Sequence, residues 1–90
     1  MHGRLAHRFQ ILSLYDACKR ETMRGVRPQT ACTMLTLSAR YGLDDLQEEL
    51  LEYTVRNWMR ICHQHRQTVD VLREFPEIPL RISLRIALRA

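Results

Sequence analysis

Within four positions, Cys62-His63-Gln64-His65 gathers the side-chain types that bind zinc. A structural zinc site needs about four converging ligands, and the remaining candidates, Cys18, Cys32, His2 and His7, are scattered along the chain. The cluster therefore reads as a polar helix end, and no metal ligand is assigned. Cys18, Cys32 and Cys62 are odd in number and widely spaced, each beside apolar neighbours in a helical pattern, so they imply no disulfide framework. A nucleophilic cysteine wants a histidine base and an orienting third group, and no local segment supplies them. With neither a glycine-rich loop nor a paired-carboxylate cleft, the expectation is a non-enzymatic protein without a cofactor.

What the residues do offer is surface for binding, set on helices. In the segment 30–58, Ala31, Met34, Leu35 and Ser38 recur at spacings of three and four, which lines one helical face. Gly42 then ends that helix, since glycine accepts the left-handed conformation of a helix terminus, and Asp44 or Asp45 stands where a carboxylate can cap the next one. Leu46, Leu50, Tyr53, Thr54 and Trp58 carry the period onward to about His63, with Glu48, Glu49 and Glu52 over much of the rest. Residues 5–23 form an earlier amphipathic segment, with Phe9, Leu12, Leu14, Tyr15 and Cys18 as its apolar members, broken by Gly25 and Pro28. A short segment 68–75 leads through Pro76 and Pro79 into a closing helix over 80–89. Period-two alternation is absent, so no strand is expected. The fold class is all-α, a small bundle of stacked helical hairpins.

Ninety residues that are 46% hydrophobic make at most one modest core. The formal charge is +4 and the pI about 9.4. The excess is arginine, because Lys19 is the only lysine. No apolar run approaches the roughly 20 residues that span a bilayer, and the basic N-terminus soon admits Gln10, Ser13 and Asp16, a poor signal peptide. The expected location is cytoplasmic, with the nucleus as the alternative.

The run from Val26-Arg27-Pro28-Gln29-Thr30-Ala31 through Leu35, Leu37 and Ser38, followed by Tyr41-Gly42-Leu43, Leu46, Tyr53 and Asn57-Trp58, resembles the start of a BACK domain. That helical module follows the BTB domain in many adaptors of cullin-RING ubiquitin ligases. Val71-Leu72-Arg73-Glu74-Phe75-Pro76 with Leu80 and Leu84 resembles the module's next segment, and Leu14-Tyr15-Asp16-Ala17-Cys18-Lys19 resembles the last BTB helix. The implied division is an N-terminal helix over 1–24 and a partial BACK-like helical domain over 25–90. Ser38 and Leu50 depart from the alanine and cysteine usual in the family. The BTB core, the later BACK helices and any substrate-binding repeat are missing, so the resemblance implies a piece of such an adaptor, with a BTB domain supplied in cis or in trans. A BTB domain's own end, a helix, a Tyr-Gly-Leu turn and another helix, fits Tyr41-Gly42-Leu43 as a rival placement.

In that family the first BACK helices form the three-box, which takes apolar side chains of the cullin scaffold in helix-in-groove fashion. The resemblance thus implies a protein partner, a cullin scaffold, with Met34, Leu37 and Tyr41 as the partner-binding residues; as ordinary residues, the same three read as core. The alternative function, binding nucleic acid or an anionic membrane surface, rests on the C-terminal row Arg81, Arg85 and Arg89, with Leu80, Leu84 and Leu88 beside it and Ile82 and Ile86 opposite. A solvated face of a packing helix is the plainer reading of that row. A DNA-reading helix-turn-helix is disfavoured, because the helix after the turn opens with Asp44, Asp45, Glu48 and Glu49, which phosphates would repel.

Overall fold

The computed structural model describes the backbone from His2 to Arg89 and the side chains of residues 12–89. Six α-helices and a 3-10 turn follow one another, and there is no strand among the described residues: α1 (His2–Gly25), α2 (Ala31–Arg40), α3 (Asp44–Arg56), α4 (Trp58–Gln64), α5 (Arg66–Val69), the 3-10 turn Asp70–Glu74, and α6 (Glu77–Arg89). The all-α expectation holds, and α2 with α3 makes the central hairpin.

Chain reversal in that hairpin depends on Gly42, whose φ of +66° is the only positive one among the described residues. Leu43 N–H donates to Ser38 O (2.9 Å) and Gly42 N–H to Ala39 O (3.3 Å), the paired bonds that close a helix through a left-handed residue. The aspartates do not cap α3. Leu43 holds the N-cap position without a side-chain bond, and Asp44 and Asp45 lie in the first turn, where they meet the positive end of the helix dipole instead. Thr30 is the N-cap residue of α2, yet its hydroxyl bonds backward, accepting from Arg27 N–H (3.1 Å), and leaves the helix amides alone.

The core is built from one face of each short helix: Ala31, Cys32 and Leu35 of α2, Leu46, Leu50, Leu51 and Val55 of α3, Ile61 of α4, Leu72 of the 3-10 turn, and Ile78 and Ile82 of α6. Thr36, Ser38 and Thr54 are buried among them, with hydroxyls bonded to carbonyls three or four residues back. Met34, Tyr53 and Trp58 are only half-buried.

Two expected helices differ in the structure. The helix from Asp44 to about His63 is broken at Asn57 (φ −108°, ψ 14°), whose side chain donates to Tyr53 O at 2.8 Å. An asparagine that competes for its own helix's carbonyls favours such a break, and α4 starts anew with Trp58. The closing helix begins earlier than residue 80, because Pro79 falls in its first turn, where no intrahelical N–H is needed.

Residues 5–23 do lie in one helix, ended at Gly25 as expected, but the amphipathic reading fails for the described side chains. Leu12, Leu14 and Cys18 are exposed, since among the described residues α1 meets the other helices only at α3 and nothing covers its outer turns; Phe9 lies outside the described side chains. Lys19 is mostly covered, 4.0 Å from the Asp16 carboxylate and 6.0 Å from the Tyr15 ring centroid.

Candidate functional site

Met34, Leu37 and Tyr41 share one groove. Its volume is about 220 Å³, and it is lined by Met34, Leu37 and Ser38 of α2 with the C-cap residue Tyr41, by Thr22 of α1, and by Leu43 at the N-cap of α3 with the buried Leu46 and Leu50 of α3 as its floor. The helical period explains the arrangement. Met34, Leu37, Ser38 and Tyr41 repeat at three and four along α2 and its C-cap, and Leu43, Leu46 and Leu50 repeat likewise from the N-cap of α3 onward. The hairpin turn at Gly42 brings the two rows side by side, so the apolar floor continues into the apolar wall. Leu50 and Leu46 are buried, whereas Leu37 is 40% and Tyr41 68% exposed. The groove is therefore apolar and open, with an exposed aromatic among its lining residues.

Ordinary core residues would be covered, and only Met34 of the three comes near that. Reading residues from α2 alone missed the floor and Thr22. The signal for the floor was present in the spacing of Leu43, Leu46 and Leu50, while Thr22 enters by tertiary packing with no local signature.

The arginine row of α6 does not face solvent freely. Arg81 and Arg85 pair with Glu48, and Arg85 and Arg89 pair with Glu52, the Arg85 Nη1 to Glu52 Oε1 distance being 3.0 Å. Three arginines four apart on α6 thus alternate with two glutamates four apart on α3. Hydrogen bonding from Arg85 holds the Glu48 carboxyl below its ordinary range, and the same bond raises Arg85. An adjoining depression of about 450 Å³, lined by Met23, Glu48, Glu49, Glu52, Arg56 and Arg85, mixes both signs of charge. It presents no uniform field for a charged ligand. Sequence reasoning saw the arginines and the glutamates separately and did not join them.

Comparison with protein-family models, with curated proteins and with solved structures gives no match.

Cys62 and His63 line a depression of about 390 Å³ with Arg66, Val69 and Asp70, but adjacent residues on a helix point about 100° apart and do not form a thiol–imidazole pair. Among the described residues no three His, Cys, Asp or Glu side chains converge as metal ligands. Cys32 is buried, and burial pushes its thiol up, away from reactive thiolate. No Cα of α2 lies within 8 Å of one in α4, too far for a Cys32–Cys62 disulfide without backbone movement. Among the described residues, no helix is long and apolar enough to cross a membrane.

Proposed function

We propose that the chain is a non-enzymatic protein-docking module of the BTB–BACK kind, which receives an apolar segment of a cullin scaffold in the groove between α1 and the α2–α3 hairpin. The observation that supports it is the convergence of Met34, Leu37 and Tyr41 over the Leu46 and Leu50 floor, a concave apolar surface that remains open in the folded chain. Grooves of this shape bind a helix or extended segment through a few side chains inserted at i, i+3 and i+4. A BTB domain, in cis or in trans, would supply the rest of the interface, and a cytoplasmic or nuclear location accords with such a partner. The competing reading, a basic helix on nucleic acid or an anionic membrane, loses support because Arg81, Arg85 and Arg89 are already paired with Glu48 and Glu52.

Pull-down with the N-terminal segment of a cullin scaffold tests the proposal. Leu37→Asp with Tyr41→Asp should abolish capture while leaving the far-ultraviolet circular dichroism unchanged, because both side chains are exposed. Capture that survives the double change removes the groove assignment.

A further inference from the structure

Ion pairing leaves the positive charge of this chain unevenly placed. Among the described residues, Arg24, Arg40, Arg73, Arg81, Arg85 and Arg89 each pair with a side-chain carboxylate, whereas Arg56, Arg60 and Arg66, all exposed, do not. No aspartate or glutamate stands between Glu52 and Asp70. The two carboxylates that bound this stretch are already engaged, Glu52 by Arg85 and Arg89, and Asp70 by Arg73 at 3.7 Å. Glu49 shares a depression with Arg56 and offsets it in part, so the uncompensated charge belongs to Arg60 and Arg66. Helical hydrogen bonds bridge the break at Asn57, from Asn57 N–H to Tyr53 O (3.1 Å) and from Ile61 N–H to Asn57 O (2.9 Å). Met59, 70% exposed, and His63, four residues on, point away from the buried Ile61, and Arg60 precedes His63 by three on the same side. His63 and Arg66 then border the depression of about 390 Å³ in which Cys62 and Val69 are half-buried.

We propose that this face of α4 and α5 receives an acidic amphipathic segment of another protein. An apolar side chain of the segment enters the depression over Cys62 and Val69, and carboxylates on either side of it meet Arg60 and Arg66. Met59 supplies a second apolar contact next to Arg60. An apolar centre with a guanidinium border is the make-up of protein interfaces, where arginine and methionine are enriched over the rest of the surface. A guanidinium holds a carboxylate through two parallel hydrogen bonds, and the His63 ring adds a further donor. Two observations set a peptide above a nucleic acid. A single strand binds by stacking bases on aromatic side chains as well as by its phosphates, but Tyr53 and Trp58, the aromatics of this stretch, are half-buried and packed against the core. The apolar Cys62, Val69 and Met59 also give a phosphate chain nothing to contact. The face shares no residue with the groove of Met34, Leu37 and Tyr41, and its partner differs in chemistry from the apolar segment proposed there.

Fluorescence anisotropy of the full chain against a labelled synthetic helix, with leucines at i and i+4 among glutamates, tests the assignment. The other probes are a copy with lysine for every glutamate, a copy with serine for every leucine, and single-stranded oligo-dT. The glutamate–leucine peptide should bind about tenfold more tightly than either copy, and more weakly as salt is raised. Arg60→Glu combined with Arg66→Glu, both at exposed positions, should reverse the order so that the lysine copy binds better, with the far-ultraviolet circular dichroism unchanged. Arg20→Glu combined with Arg24→Glu makes the same change of charge on α1 and should leave the order as it is. Absence of binding by the glutamate–leucine peptide overturns the docking face. So does equal binding of the serine copy, or an equal loss from the α1 pair, since either reduces the effect to net charge. Oligo-dT that binds more tightly than the peptide, and is released by the Arg60 and Arg66 changes, would assign the face to nucleic acid instead.

Discussion

Gly42 shows how much one residue decides. Its φ of +66° lies where a side chain strains the backbone, although a Cβ there would meet nothing within 4 Å. Gly42→Ala should therefore destabilise by about 1 kcal/mol through conformation alone, seen as a lower thermal midpoint with an unchanged native spectrum. Leu51 is fully buried. Leu51→Ala should cost more, roughly 2–5 kcal/mol by chemical denaturation. The glycine was legible in the sequence because backbone sterics leave few substitutes at a helix end. The burial of Leu51 and Val55 was not, since the apolar stripe read from Leu46, Leu50 and Thr54 is narrower than the face that α3 actually buries. A helix enclosed on more than one side loses the clean period from which a single face is read. The side chain of Asp44 was misread for a related reason: a capping residue type establishes that a terminus is near, and the local turn decides which backbone group its oxygen meets.

Between elements, the alternating ladder of Glu48 and Glu52 with Arg81, Arg85 and Arg89 ties α6 to α3. Glu48 titrates below its ordinary value because it accepts hydrogen bonds from Arg85 and Arg81. A carboxylate depressed in the folded state contributes its stability above the unfolded value, near 4.3, and loses it as pH falls through the folded value. Stability should thus be flat from neutrality to about pH 5 on this account and decline below about pH 4. Because these side chains remain partly exposed, each pair should contribute no more than about 1 kcal/mol, less at high salt. Thermal melts across pH 3–7 at low and high ionic strength check both dependences; an acid decline indifferent to salt would speak against the ladder. Both halves of this contact were visible as i, i+4 charge repeats, yet a single sequence carries no register between segments more than thirty residues apart. The break at Asn57 escaped for the opposite reason, being a local contest between a side-chain amide and the helix that apolar periodicity does not record.

At the scale of the molecule, α1 accounts for the elongation to 53 × 25 × 22 Å. It is 24 residues long; Thr22 and Met23 line depressions shared with other helices, whereas its exposed Leu12 and Leu14 contribute nothing to the core. Amide exchange should be slowest in α2 and α3, whose faces form the core, and faster by orders of magnitude over residues 12–20. Equal protection along α1 would show that its outer turns have a partner in solution. The all-helical class, the hairpin and the wall of the groove were legible because each rests on helical period and one glycine. The isolation of α1 was not, because an apolar residue on a helix announces a wish to be covered and says nothing of what is available to cover it.

Lys19 has a consequence of a different kind. The chain's only lysine lies on α1, with its side chain just 20% exposed beside Asp16. Every other side-chain cation that is always charged is a guanidinium, which amine-directed acylating reagents leave untouched. Such a reagent therefore finds one side-chain target, and that target is outside the groove lining, the arginine–glutamate ladder and the leucine row of α6. A reporter attached there would watch docking without entering the groove.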